Sequence, residues 1–304
     1  MKLEEAIRNI AEDEEFEGLI EYNREITARN VNECPFLTRL EHQERISTTH
    51  ILEISREIQK STARIIAEGE EPPKPKYYER ITARMSDFKH PLEIPVLGRS
   101  NAEIIEYLKQ EVPNGIMEIR KSKEKAIIQG APSKAFKGLE EIIPKSMRFT
   151  VTSENSKTPI LDKIMDVIYD IAEITRPTLA LSGIKVTGEI FKEMRKEKIY
   201  REIEAIPNLE VMTLKPYTGT SIPILPSKHV PANTIYLLNE NKLHIKDYFK
   251  KPNPEPAKKI PIFYKKLARI KLTKSGCLVH CSTFYTTAPQ EHARIDISHP
   301  NNMK

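Results

Sequence analysis

The 304-residue sequence has no tryptophan, three cysteines, ten glycines and no apolar run near the roughly 20 residues that a membrane-spanning helix needs. Each shortage excludes something. Three cysteines, Cys34, Cys277 and Cys281, are too few for a disulfide scaffold and fit a reducing compartment. The amino end, MKLEEAIRNIAEDEEFEGL, is too acidic and polar for a secretory signal, so the reading is an intracellular chain with no membrane partner. Neither G-x-G-x-x-G nor G-x-x-x-x-G-K-[ST] occurs, and the nearest approach, GIKVTGEI at 183–190, has Glu189 where a phosphate-binding lysine would stand. The hydrolase and zinc-protease signatures G-x-S-x-G and H-E-x-x-H are also missing. No catalytic residue, cofactor or metal site is therefore expected.

What is present is charge. Charged residues make up 30% of the chain and apolar ones 39%, a balance that suits a folded, water-exposed or assembly-forming protein. The net charge of +5 is unevenly spread. Residues 1–72 hold 9 basic and 17 acidic side chains, a net of −8, and the remainder carries +13. The acidic segment can lie on a basic face of the body, the body can face a polyanion, or both can simply be solvated.

Helical spacing is read over 2–22, with Leu3, Ile7, Ile10, Leu19 and Ile20, and over 46–68, with Ile51, Ile54, Ile58 and Ile65 ahead of a stop at Gly69. EEPPKPKYY, 70–78, reads as an extended linker. From Tyr78 to Arg99, β-branched residues, Pro91, Pro95 and a turn at Gly98 suggest a long exposed hairpin or loop. Asn101 is the expected cap of a long helix with Glu103 and Glu106 in its early turns, bent or broken at Pro113, Asn114 and Gly115, and ending at Gly130. A further helix is expected after Thr158 as cap and Pro159 at its first position, then a buried strand TLALS, a helix GEIFKEMRKEKI, and the strands LEVMTL, IPIL, TIYLL and KLHIKDYF. IFYKKLARIKL and GCLVHCSTFYTT form a closing hairpin turning at Lys274, Ser275 and Gly276, and HARIDISHPNNMK reads as a frayed polar tail. This irregular interleaving gives the fold class α+β.

Three groups tempt a chemical reading. Cys277 and Cys281 would share one face of a strand about 13 Å apart while His280 faces the other way, too far for one zinc ion, so packed thiols are expected. Asp162, Asp166 and Asp170 recur every four residues as a carboxylate stripe, expected to be a solvated or intersubunit face. His42 and His50 lie in the acidic segment, where solvation is the default.

The order of features carries more than any one of them. A helix ending in Glu124, Ala126, Ile127, Ile128 and Gly130, followed by Pro132, Gly138 and Leu139, resembles the end of the spine helix in major capsid proteins of tailed double-stranded DNA viruses with the Hong Kong 97 fold. TRPTLALSGIKVTGEIFKEM and TGTSIPILPSKHVPANTIYLLNENKLHIKDYF resemble that family's axial domain, and the likeness spans about residues 78–290. The resemblance implies an N-terminal helical arm and linker at 1–77, an extended loop at 78–100, the spine helix and peripheral domain at 101–150, an axial domain at 151–255, and returning peripheral strands with a tail at 256–304. It further implies a non-enzymatic subunit that self-assembles through hexamers and pentamers into an icosahedral virion shell, in the host cytoplasm, around double-stranded DNA. Portal, scaffold or decoration proteins would be partners. The family's covalent link between a loop lysine and another subunit's asparagine does not carry over: Lys89 lies in the loop, but no asparagine or glutamate matches by motif. An encapsulin shell around an enzyme cargo and a basic nucleic-acid-binding protein are the alternatives.

Overall fold

The computed structural model describes residues 2–12, 14–21, 31–41, 46–57, 78–95, 98–131, 136–152, 159–197, 202–207, 209–217, 219, 221–249, 259–267 and 273–298. The stop at Gly69, the linker 70–77, His42, Pro132 and Thr158 lie outside the described residues.

A single long helix, α3 (Asn101–Gln129), organises the chain. It starts one residue earlier than Asn101 as cap would require, because Ser100 and Glu103 form a reciprocal capping box: Ser100 Oγ accepts from the Glu103 N–H, and the Glu103 carboxylate accepts from the Ser100 N–H at 2.7 Å. Of the bend or break expected at 113–115, no break occurs, and the helix runs on as one to Gly130. Pro113 sits inside the continuous helix, and burial of Val112, Pro113, Gly115 and Ile116 holds it against the lost hydrogen bond. Gly115 has a packing reason, since a β-carbon there would meet His90 at 2.6 Å and Leu278 at 3.0 Å.

Two apolar cores flank this helix. Its N-terminal half packs with Ala6, Ile7 and Ile10 of α1 (Leu3–Ala11), and with Leu92 and Ile94 of β5 (Ser86–Pro95) and Leu278. Its C-terminal half joins the larger core through Met117, Ala126, Ile127 and Ile128. The helix expected over 2–22 is thus α1 followed by a strand, β1 (Phe16–Glu21), and α1 packs on its own body. After it comes a short helix α2 (Pro35–Leu40) with Phe36 and Leu37 fully buried.

The described part of 46–68 is also strand, correcting the helical reading: β2 (Ile46–Ser47) and β3 (Ile51–Glu57). β3 pairs antiparallel with β4 (Tyr78–Arg84) from Ile51 opposite Arg84 to Glu57 opposite Tyr78, and the two form a separate ribbon. β5 does not complete a hairpin with β4. It lies instead along β14 (Thr273–Thr286) from Ser86 opposite Ser282 to Pro95 opposite Thr273, as an edge strand that tolerates Pro91. The six-stranded sheet runs β1, β13 (Lys259–Lys266), β14, β12 (Leu243–Tyr248), β2, with β5 also on β14.

The seven-stranded sheet has the order β6 (Arg148–Thr152), β15 (Ala293–Ser298), β11 (Thr234–Leu238), β7 (Leu179–Ser182), β10 (Ile222–Pro226), β9 (Leu209–Leu214), β8 (Glu202–Ile206). Helices α5 (Ile160–Asp170) and α6 (Ile184–Lys196) bury Ile164, Ile168, Val186 and Ile190 in its core. The short α4 (Leu139–Ile142) follows the spine.

Three further expectations are corrected. Lys274, Ser275 and Gly276 lie inside β14, not in a turn, and Gly276 lets the Tyr264 ring lie where a β-carbon would be, 2.3 Å away. The tail is not frayed over 293–298, because Ala293, Ile295 and Ile297 alternate into the core as β15. Pro159 is the N-cap of α5, not its first helical residue, and it offers no capping side chain. The cap comes from α6: the Glu193 carboxylate accepts from the Ile160 and Leu161 N–H groups at 3.1 and 2.9 Å.

Candidate functional site, the spine helix and its clamps

The residues that close the spine helix are in contact with one another. Gly130 caps it at φ 83°, ψ 167°, a region open in practice only to glycine. Gly138 has an ordinary φ of −91°, but a β-carbon there would lie 2.1 Å from the Gly130 nitrogen and 2.8 Å from the Ala126 carbonyl oxygen. One glycine turns the chain, and the other lets the returning chain touch the turned backbone. Leu139 then enters the main core fully buried.

Just before this stop the helix carries three buried charges, Arg120, Lys123 and Glu124, each at most 1% exposed. Arg120 grips Glu41 with two parallel bonds of 2.7 and 2.8 Å. Glu124 accepts from the Leu37 N–H at 2.9 Å and from Ser227 Oγ at 2.8 Å, and so caps α2, whose own N-cap residue Cys34 supplies no capping bond. Lys123 Nζ lies 2.6 Å from Asp247 Oδ1 on β12. Each pair joins the helix to a chain-distant element, and together they hold residues 31–41 and strand β12 against it. Burial pushes the Glu124 carboxyl up to about 7, against the lowering effect of its two hydrogen bonds.

His292, read as part of the tail, is fully buried. Its Nδ1 accepts from the Asn239 N–H, which leaves Nε2 to donate to Thr286 Oγ1 at 2.8 Å, and burial depresses its pKa to about 3. These two groups predict opposite pH effects. An unfolded chain binds a proton at His292 near pH 6.5 that the fold refuses until about 3, so this contribution to stability is lost as pH falls through that window, on the order of 5 kcal/mol in full. Glu124 binds its proton in the fold near 7 but in the unfolded chain only near 4.5, so it stabilises as pH falls across that interval, by about 3 kcal/mol. Glu124→Gln cannot titrate, and its Oε1 can accept from the Leu37 N–H while its Nε2 donates to Ser227 Oγ. Urea unfolding of unassembled chains should show the variant gaining about 3 kcal/mol on the parent between pH 4.5 and pH 8; an unchanged difference would refute the buried-carboxylate account.

Of the residues singled out from sequence, Cys281 and His50 meet, with Cys281 Sγ 3.7 Å from His50 Nδ1. Cys277, His280 and Cys281 are all buried, and burial raises both thiols, Cys281 to about 12, with Asp87 adding to it. No metal-ligand cluster occurs among the described residues. Asp162, Asp166 and Asp170 are exposed along α5. Lys89 is exposed beside Asp87 at 3.3 Å. His50 is exposed and stacks on Tyr248 at 3.7 Å between ring centroids. The buried charges were not read from sequence, although a signal existed: Arg120 and Lys123 stand between Ile116 and Ile127 at spacings of four, three and four, on the stripe that should be apolar.

Solved structures share this fold across most of the chain. A capsid chain of cyanophage A-1(L) is 12% identical with TM-score 0.58, covering 87% of this chain and 93% of its own. The SrpI encapsulin of Synechococcus elongatus PCC 7942 is 13% identical with TM-score 0.57, covering 90% and 95%. A virus-like particle chain from Pyrococcus furiosus is 9% identical with TM-score 0.52, covering 90% and 97%. At such identities the likeness shows the Hong Kong 97 fold alone. No curated protein matches by sequence. The family model of the SU10 major capsid protein matches residues 8–298, nearly the whole chain. The chain therefore belongs to the SU10 major capsid protein family, and it is a shell-forming structural component of a virion rather than an enzyme.

Proposed function

We propose that copies of this chain close into an icosahedral shell of hexamers and pentamers around double-stranded DNA, assembling in the host cytoplasm. The family match over residues 8–298 carries the reading. The β3–β4 ribbon supports it: two strands with little beyond Ile54 buried are marginal in water, and a neighbouring copy would supply the missing cover. The net +13 of residues 73–304 suits a packaged polyanion bound without sequence preference. Portal, scaffold or decoration proteins are the further partners that fit this role. The encapsulin reading is kept because the SrpI chain matches as well by fold as the cyanophage chain does.

Negative-stain microscopy and gel filtration of protein expressed alone test the shell. Closed particles tens of nanometres across are expected, and a monomer that fails to assemble even at high concentration or with a scaffold would overturn the proposal. Nuclease-protected DNA in particles from infected cells separates a genome container from a cargo shell, which would carry a copurifying enzyme instead.

A further inference from the structure

The third clamp of the spine helix has a chemistry that the other two lack. Lys123, Asp247 and His280 are each at most 1% exposed. Lys123 Nζ lies 2.6 Å from Asp247 Oδ1 and 3.1 Å from His280 Nε2, and His280 Nε2 lies 3.2 Å from the same Oδ1. The tautomer of His280 follows from its other nitrogen. Nδ1 is 2.8 Å from the Pro261 carbonyl, which can only accept, so Nδ1 carries a proton and the neutral ring turns a lone pair toward the lysine. Ser282 Oγ donates to Asp247 Oδ1 at 2.7 Å. An amine, a carboxyl carbon and a base between them are thus held together without bulk water. In the Arg120–Glu41 pair the cation is a guanidinium, not a nucleophilic amine, and Glu124 bonds to the Leu37 N–H and the Ser227 hydroxyl.

We propose that Lys123 and Asp247 condense into an intramolecular isopeptide bond that ties the spine helix to β12. The Nζ lone pair, freed when His280 Nε2 takes an ammonium proton, attacks Cγ of Asp247; the N–C bond forms and one C–O bond breaks. His280 passes this proton, and then the second one lost from nitrogen, to the departing oxygen, which leaves as water. Ammonium plus carboxylate become amide plus water, so no oxidant, activating nucleotide or cofactor is needed. Two effects favour the step. Burial disfavours both charges relative to the neutral amine and acid, and the amide removes them altogether. The fold also holds the reacting groups at contact, which raises their effective concentration by orders of magnitude. The inference does not depend on the shell reading, since both residues belong to one chain.

Intact-mass and tandem mass spectrometry of the full-length chain read the outcome directly, on freshly purified and on warmed samples whose circular dichroism shows a folded protein. The expected result is a mass lower than the sequence mass by one water, and a branched tryptic peptide joining the segment around Lys123 to that around Asp247. Lys123→Arg keeps the ion pair but cannot condense, and should restore the full mass; His280→Gln should slow the loss of water at least tenfold. A folded parent chain of full mass before and after warming would overturn the proposal. So would a water loss that persists in Lys123→Arg.

Discussion

Gly138→Ala should destabilise the subunit by more than about 4 kcal/mol, enough to abolish soluble, assembly-competent protein. The added β-carbon would lie 2.1 Å from the Gly130 nitrogen, 2.8 Å from the Ala126 oxygen and 2.8 Å from the Gln129 carbonyl carbon. All three are backbone atoms at the end of a buried helix, so nothing can rotate aside, unlike a side-chain clash. The displaced chain would carry Leu139 out of the core. Gly130→Ala is the informative comparison. There the nearest atom is the movable Glu141 carboxylate, and the cost is the backbone strain of φ 83°, about 2 kcal/mol. Denaturant unfolding and soluble yield rank the two. Gly138→Ala with parental stability would mean that the two glycines are not in contact.

Arg120→Ala should cost about 3–5 kcal/mol, because Glu41 would be left charged and 6% exposed with its bidentate partner gone. Replacing both partners, Arg120→Met with Glu41→Leu, should restore most of that loss and come within about 1 kcal/mol of the parent, since neither desolvated charge then remains. The contrast separates two roles for a buried ion pair: large on removal of one partner, small net worth as a pair. Urea unfolding of the two single variants and the double variant forms the cycle. A double variant as unstable as Arg120→Ala would show that the pair contributes net stability, and the argument from desolvation would fail.

Local signals were legible where a few neighbouring residues decide the outcome. The alternation in KLHIKDYF, the short apolar runs TIYLL and IPIL between turn residues, and the glycine after EKAIIQ act within one or two turns of chain, and the structure agrees with them. The alternation of Ala293, Ile295 and Ile297 was equally available and was obscured by polar neighbours. Residues 51–57 misled for a different reason. Ile51 and Ile54 fit a helical stripe as well as a strand, and the pairing that selects the strand comes from residues 78–84, across an intervening segment of 20 residues. Pro113 and Gly115 read as a bend or break because propensity opposes them in a helix. Packing against β5 and β14 overrode it.

By itself, then, the sequence determined the α+β class, the length and glycine stop of the spine helix, the strands from 209 to 248, and, through the order of these features, the capsid resemblance. Tertiary structure alone decided which groups meet. Glu124 caps a helix 87 positions away, Glu193 caps one that begins at Ile160, Arg120 finds Glu41, and Lys123 finds Asp247. The physical reason is the range of the forces that choose. Backbone sterics and capping are settled within a turn of chain, whereas a charge is tolerated inside a core only if a partner arrives from elsewhere, and that partner is specified by the closing of the whole fold.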